Sequence, residues 1–365
     1  MAGTMVSIRS TVLSCIIALG FVAACGGNST PRPIETPDAS VPEMCVDVGT
    51  TRCGGSCVRT ESDPAHCGGC DRACATREAC EDGVCVAVCR IDDKQVAAGA
   101  VNAANACEQC TPETSETTWT QRTDGTQCNP GQVCSAGVCS PKCFIDGVVY
   151  DAGAPNPANA CEICVPATST TTWTARASIP LLVGGDDITA QGWTPVSLMP
   201  NTLTYGEDYV RLETSTNSGG RTSGQLLITR ANAFDATKPF TLHVTMQVES
   251  VNRHNSLDSG AAIMGSFTLP YGNSTDRSQM LYLDSAAIGW ADDTQSAAFS
   301  VTDGKYHVYE FAVDAAKVAT VSIDGVVKLT RNNFTPTGTL AIGDQTNDPN
   351  VDGAMRIKSV ELLCP

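Results

Sequence analysis

Residues 240–248 read FTLHVTMQV, from Phe240 to Val248, and every even position is apolar while every odd one is polar. A period of two is the mark of a strand with one face buried and one face wet. Working outward, similar runs occur at 209–214, 225–229, 262–269, 279–283, 306–313, 318–323, 326–330, 339–342 and 355–363. Asp324-Gly325 stands between two of them and predicts a type I′ hairpin. No stretch of the last 190 or so residues carries a convincing amphipathic helical period. About ten strands joined by polar turns, without helices to cover a sheet, predict an antiparallel two-sheet β-sandwich.

Upstream of Arg176 the composition changes. Between Cys45 and Thr174 there is no leucine, and the aromatics are Trp119, Phe144, Tyr150 and Trp173. Such a span cannot bury enough apolar area to offset its chain entropy. It does hold 17 of the 20 cysteines. Residues 74–89 read CATREACEDGVCVAVC and residues 128–143 read CNPGQVCSAGVCSPKC, so Cys74, Cys80, Cys85, Cys89, Cys107 and Cys110 recur as Cys128, Cys134, Cys139, Cys143, Cys161 and Cys164. ANACEQC is answered by ANACEIC, and Trp119 by Trp173, at a constant offset of 54 residues. This is an internal repeat. Cys45, Cys53, Cys57, Cys67 and Cys70 precede it. In an exported chain these sulfurs form disulfides, each worth about 2 to 4 kcal/mol. Zinc is the rival reading for the Cys-x-x-Cys pairs Cys67/Cys70, Cys107/Cys110 and Cys161/Cys164, but no histidine stands at finger spacing.

The N-terminus supports export. Arg9 precedes an apolar stretch from Val12 to Ala24 that is too short for a lasting membrane span. Its end, Val22-Ala23-Ala24-Cys25, resembles a bacterial lipobox, which implies cleavage before Cys25 and a lipid on its thiol. Gly26 follows where aspartate would signal inner-membrane retention, so the resemblance implies the outer membrane or cell surface. Residues 26–44 carry four prolines among small polar residues and read as an extended tether. A formal charge of -16 without a Lys/Arg cluster argues against nucleic acid as a partner.

Two further resemblances rest on longer strings. CGGSCVRTESDPAHCGGCDRAC, from Cys53 to Cys74, resembles the Stig1-like cysteine-rich motif, with SDPAHCGGC as its specific part. The repeats that follow look like EGF-like or von Willebrand type C-like modules, which implies a spacer or interaction role without catalysis. DGKYHVYEFAVD (303–314), VATVSIDGVV (318–327), TLAIGDQ (339–345) and MRIKSVEL (355–362) are together similar to the closing half of concanavalin A-like and laminin G-like jelly rolls, with Tyr306 in place of the usual tryptophan. QGWTPV around Trp193 fits the first strand of that family. The fold class expected is therefore mostly β: small disulfide-rich modules followed by a concanavalin A-like sandwich. The divisions are signal 1–25, linker 26–44, Stig1-like module 45–88, repeat 89–142, partial repeat 143–177 and sandwich 178–365.

Chemistry is sparse. The Glu-x-Asp-x-x-Glu strand of the family's glucanases is absent, and Glu213, Glu249 and Glu361 stand alone in sequence. There is no Gly-x-Ser-x-Gly, and His66, His243, His254 and His307 are scattered, with His307 read as a packed strand residue. Asp348-Pro-Asn350-Val-Asp352-Gly353 matches the start of a calcium loop, making Asp348, Asn350 and Asp352 the candidate metal ligands. Ser359 instead of Glu at the twelfth position favours the competing reading, a polar turn. Tyr205, Tyr271, Tyr282 and Trp290 are the aromatics a sugar site could use, with Tyr271 and Trp290 placed on loops. No cofactor is required, and calcium is the one ion the pattern suggests.

The expectation is a lipid-anchored, non-catalytic surface protein that presents a lectin-like sandwich to a glycan or another surface partner, with a polysaccharide hydrolase as the alternative. One point of arithmetic concerns the end of the chain. Seventeen ladder cysteines cannot pair among themselves, so Cys364 is expected to bond to the last module through Cys143, Cys161 or Cys164.

Overall fold

A computed structural model describes residues 45–197, 202–214, 225–268, 277–348 and 350–365. The signal, Cys25, the linker and Tyr271 lie outside the described residues. The chain divides into two compact units, Met1–Cys85 and Val86–Pro365.

In the first unit, four bridges close a loop-rich knot: Cys45–Cys57, Cys53–Cys70, Cys67–Cys80 and Cys74–Cys85. Its small hairpin pairs Thr51–Cys53 with Ser56–Val58.

The second unit opens with the repeats. Cys89–Cys110 and Cys143–Cys164 are the same bridge in successive registers, and each lies under a tryptophan, Trp119 in one and Trp173 in the other. Polar contacts repeat as well. The Asn102 side-chain amide donates to Glu108 as that of Asn156 does to Glu162, both at 2.7 Å. Every Cys-x-x-Cys pair is split between different partners, which is the behaviour of disulfides and not of a zinc knuckle. Cys107 reaches forward to Cys134 and so stitches one register to the next. Its equivalent, Cys161, would need a cysteine at position 188. Ile188 stands there, and Leu182 and Trp193 occupy the positions equivalent to Cys128 and Cys139. All three are fully buried in the sandwich core. Cys161 instead bonds to Cys364, one of the three partners left open by the sequence.

We number the sandwich strands β1 Ser178–Val183, β2 Thr194–Ser197, β3 Thr202–Tyr205, β4 Val210–Glu213, β5 Leu226–Arg230, β6 Phe240–Val251, β7 Ala262–Met264, β8 Leu281–Leu283, β9 Ala287–Trp290, β10 Ser296–Ala298, β11 His307–Val313, β12 Ala319–Ile323, β13 Val326–Arg331, β14 Leu340–Asp344 and β15 Gly353–Leu363. One sheet has eight strands in the order β3-β4-β15-β6-β11-β12-β13, with β1 also beside β15, and the other has seven in the order β2-β5-β14-β7-β8-β9-β10. Every pairing is antiparallel. The result is the two-sheet sandwich of a concanavalin A-like jelly roll.

The even residues of β6 are buried and the odd ones half-exposed along the stretch that opened the sequence analysis. They join a single core containing Trp193, Trp290, Tyr309, Phe311 and Phe334. A second apolar cluster, with Leu227, Ala262, Met264, Phe267, Met280 and Ala341, covers the other face of β5, β14 and β7. Strands buried on both faces need continuous apolar runs such as LLI and LAI, which is why these segments do not alternate. Asp324 and Gly325 both have positive φ, 50° and 78°, as a type I′ turn requires.

Four strands escaped the sequence reading: β1, β3, β9 and β10. QGWTPV is the second strand, not the first, because β1 precedes it and lies against β15. The run 262–269 forms a strand only as far as Met264, and 279–283 only from Leu281. The largest correction concerns Trp290. It ends β9 with 1% of its surface exposed, packed edge-on against Phe311 and bonded through its indole N–H to the Thr330 carbonyl at 3.2 Å. The pleat of β9 sends Ile288 and Trp290 inward together, and the turn begins only after it.

Candidate functional site: a loop rim at the far end of the sandwich

β15 fixes the orientation of the second unit. Leu363 pairs with Ser178 beside the ladder, and the strand's other end, Gly353, pairs with Val251 at the end of β6. Eleven residues span about 35 Å. The loops leaving Val251 and entering Gly353 thus form a rim at the opposite end of the sandwich from Cys364. Their backbones touch at Gly260 and Gly353, where a Cβ on either residue would run into the other's chain.

The loop 252–258 is held by its neighbours through side chains. Asn252 donates from its backbone N–H to the Asp352 carbonyl at 2.9 Å and from its side chain to the Asn350 carbonyl at 3.0 Å. Asn255 donates to Asp348 at 3.1 Å. Asp348 also accepts the backbone and side-chain N–H groups of Asn350, at 2.9 and 3.0 Å. The backbone N–H of Asn350, then Asn255, hold the Asp348 carboxyl below the usual carboxylate range. Of the three expected calcium ligands, Asp348 and Asn350 thus form a polar turn, and Asp352 is buried. The Asp348 oxygens face amide donors, so these residues do not present a converging oxygen set. Among the described residues, the ligand-type side chains that cluster in threes are cysteines, Cys67/Cys74/Cys85 and Cys107/Cys128/Cys139, and all six are in disulfides.

From the rim the same loop carries His254 over the outer face of the seven-stranded sheet. Its ring stacks on Tyr282 with centroids 3.7 Å apart. Nδ1 lies 2.7 Å from Asp284 and Nε2 lies 2.9 Å from Asp293. Tyr282 is sealed beneath it, and burial, followed by the Asp284 charge, raises the phenol above its usual range. Tyr282 therefore offers no platform to a sugar. Tyr205 is 44% exposed, but it pairs with Val210 on the edge of the other sheet, away from the rim. Asp292, beside Asp293, makes a two-pronged bond to Arg331 at 3.0 and 2.7 Å. Burial works to raise its carboxyl, and the Arg331 bonds outweigh that and lower it.

This geometry does not suit acid–base hydrolysis. Both ring nitrogens of His254 are engaged by carboxylates, leaving none to take a proton from a nucleophile. The imidazole fills the space between Asp284 and Asp293 where a scissile bond would have to sit. His307 is likewise held between two aspartates, and His243 pairs with Glu310 across strands at 2.9 Å. Glu213 and Glu249 are not alone as their sequence spacing suggests. β4 and β6 flank β15, and the two acids converge on Arg211, with Arg356 also 2.6 Å from Glu249.

His254 was missed as a site residue because its partners lie 30 and 39 residues away and nothing adjacent in the chain marks it. What the rim leaves accessible is polar: Asn252, Arg253, Asn255, Asp293, Asn347 and Asn350 are exposed.

Comparison with known proteins agrees with this division of the chain. Residues 38–88 match the stigma-specific STIG1-like protein family, so the chain carries a STIG1-like cysteine-rich domain there. No curated protein matches the chain. Among solved structures, the sandwich half is similar to a conserved carbohydrate esterase from the Shiga toxin-encoding bacteriophage phi24B, at 14% identity and a TM-score of 0.35 over 51% of this chain and 98% of that one. It is similar to the carbohydrate recognition domain of Emp47p at 13% identity and 0.33, over 51% and 94%. The VIP36 exoplasmic/lumenal domain in a Ca2+/mannose-bound form gives 12% and 0.33, over 47% and 82%.

Proposed function

We propose that the protein is exported, anchored by lipid on Cys25 at the outer membrane or cell surface, and uses its disulfide ladder as a stalk. The stalk presents the sandwich, whose rim binds carbohydrate without breaking a bond. The observation that carries this reading is the rim itself. Amide and carboxylate groups of Asn252, Asn255, Asp293, Asp348 and Asn350 are fixed by bonds between loops, at the end of the sandwich away from the ladder. Preorganised donors and acceptors suit a ligand dense in hydroxyl groups, because little side-chain freedom remains to be lost on binding.

Glycan-array binding by the whole exported chain, with calcium and with a chelator, tests the proposal. A positive glycan should lose at least about tenfold in affinity in Asn255→Ala and Asp348→Ala, an effect of about 1.4 kcal/mol. Silence on the array together with release of reducing sugar from a polysaccharide would replace the binder with a hydrolase. Fatty-acid labelling that persists in Cys25→Ser would remove the anchor.

A further inference from the structure

The Cys161–Cys364 bond does more than close a domain. β15 lies inside the eight-stranded sheet, bonded along one edge to β6 and along the other first to β4 and then to β1. At its rim end it continues directly from the loop that carries Asp348 and Asn350. At its other end the Cys364 N–H donates to the Ala177 carbonyl at 2.8 Å, and its sulfur is joined to Cys161. Cys161 belongs to a module closed by Cys143–Cys164, and the registers before it are stitched by Cys107–Cys134. The covalent route from the rim to the ladder is therefore short. It runs through roughly 14 residues, from 350 to 364, and one sulfur–sulfur bond, whereas the chain itself takes roughly 190 residues to connect Cys161 with Asn350.

We infer that this bond makes the protein a tension-bearing link, in which a pull between a rim-bound ligand and the N-terminal anchor runs down β15 into the ladder and bypasses the rest of the sandwich. That the natural pull enters at the rim rests on the binding role proposed above. The shortcut rests only on the connectivity. Tension along β15 acts perpendicular to the ladder hydrogen bonds on both of its edges, so many bonds share the load at once. Without the Cys161–Cys364 bond the pull would enter through residues 162–177 and peel β1 first, and nearly the whole sandwich could then be drawn out.

Single-molecule extension of the full chain reads the route directly. The chain is held by its N-terminal segment and by a click-reactive residue introduced as Asn350→p-azidophenylalanine. In the wild type, failure of the sandwich should release no more than about 50 Å of chain. In the double variant Cys161→Ser/Cys364→Ser, which leaves no free thiol, it should release about 650 Å. The remaining ladder bridges contribute equally to both. If the double variant does not fold, the same long contour appears without a rupture peak, and the wild-type limit still decides. A wild-type release of several hundred ångströms, or equal releases from the two proteins, overturns the inference. Because the handle takes the place of the ligand, a protein that binds no glycan would still give the short wild-type extension.

Discussion

The ladder and the sandwich meet the same requirement by different chemistry. In the repeats, the core of a module is its bridge: Cys89, Ile91 and Cys110 are buried together, with Val96 and Trp119 packed on them, and Cys143, Ile145 and Cys164 repeat the cluster with Tyr150 and Trp173. Sulfur there is both the cross-link and much of the apolar filling. The sandwich has one bridge, at its edge, and a core of branched and aromatic side chains shared by two sheets. The positions where the repeat's third register would place cysteines hold Leu182, Ile188 and Trp193. One polymer thus passes from stabilisation through the unfolded state, which a disulfide constrains, to stabilisation through burial.

Full reduction should give the largest separation between the two. Without bridges the modules have too little apolar area to stay folded, while the sandwich loses only Cys161–Cys364. Hydrogen exchange in the presence of a dithiol should find residues 86–177 exchanging at the rate of open chain, with β6, β11 and β15 still protected. Loss of protection in both regions together would show that the sandwich depends on the ladder and would break the distinction.

A pair of tryptophan truncations sharpens it at smaller scale. Trp290→Ala empties a fully buried site between Phe311 and Phe334 and removes the donor to Thr330, and should cost about 3 to 5 kcal/mol. Trp173→Ala removes a half-buried ring that leans on Tyr150 at 4.6 Å, and should cost about 0.5 to 1.5 kcal/mol because the Cys143–Cys164 bridge remains. Denaturant titration of each variant decides. Equal costs would mean that the module depends on its aromatic contact as much as the sandwich does.

The same contrast explains what could be read from sequence. Cysteine spacing is a covalent constraint written into the chain, so the 54-residue register and the need for an outside partner for one ladder cysteine are visible without coordinates. Long alternating strands such as β6 and β11 are legible because each repeats its pattern several times. β9 and β10 have four and three residues, too few for a period to emerge, and Trp290 was accordingly read as part of a turn. The candidate site is the least legible part. The Asp348 segment shows in sequence as a possible loop, but its partners Asn252 and Asn255 follow β6 nearly a hundred residues earlier. Only the antiparallel register of β6 and β15 brings the two together.

The smallest effect concerns a contact between two turns that the sequence shows separately. DGKYH ends at His307, and the hairpin turn begins at Asp324. His307 lies 3.0 Å from Asp303 and 2.7 Å from Asp324, buried against Phe299 and above Tyr309. Lys305 stands 3.4 Å from Asp303, Lys328 lies over the Phe299 ring, and burial raises the Tyr309 phenol so that it stays neutral throughout. Burial alone would disfavour the imidazolium, but Asp324 and Asp303 outweigh it and raise the His307 pKa. The bond to His307 lowers Asp303, and in Asp324 it overcomes the effect of burial. A raised histidine contributes stability at pH values below its unfolded pKa and loses it as pH rises through the folded one. Lowered aspartates contribute above their unfolded pKa and lose it as pH falls. The latch between the turns is therefore strongest from about pH 4.5 to 6.5. The thermal midpoint of the sandwich should fall by on the order of 2 to 4 °C between pH 6 and 8, and His307→Gln should flatten that slope while both proteins weaken below pH 4. Because no ladder residue faces His307 in these contacts, exchange in residues 86–177 should not follow the same pH dependence. Superimposable midpoint profiles for the two proteins would show that the turns are held by their backbones alone.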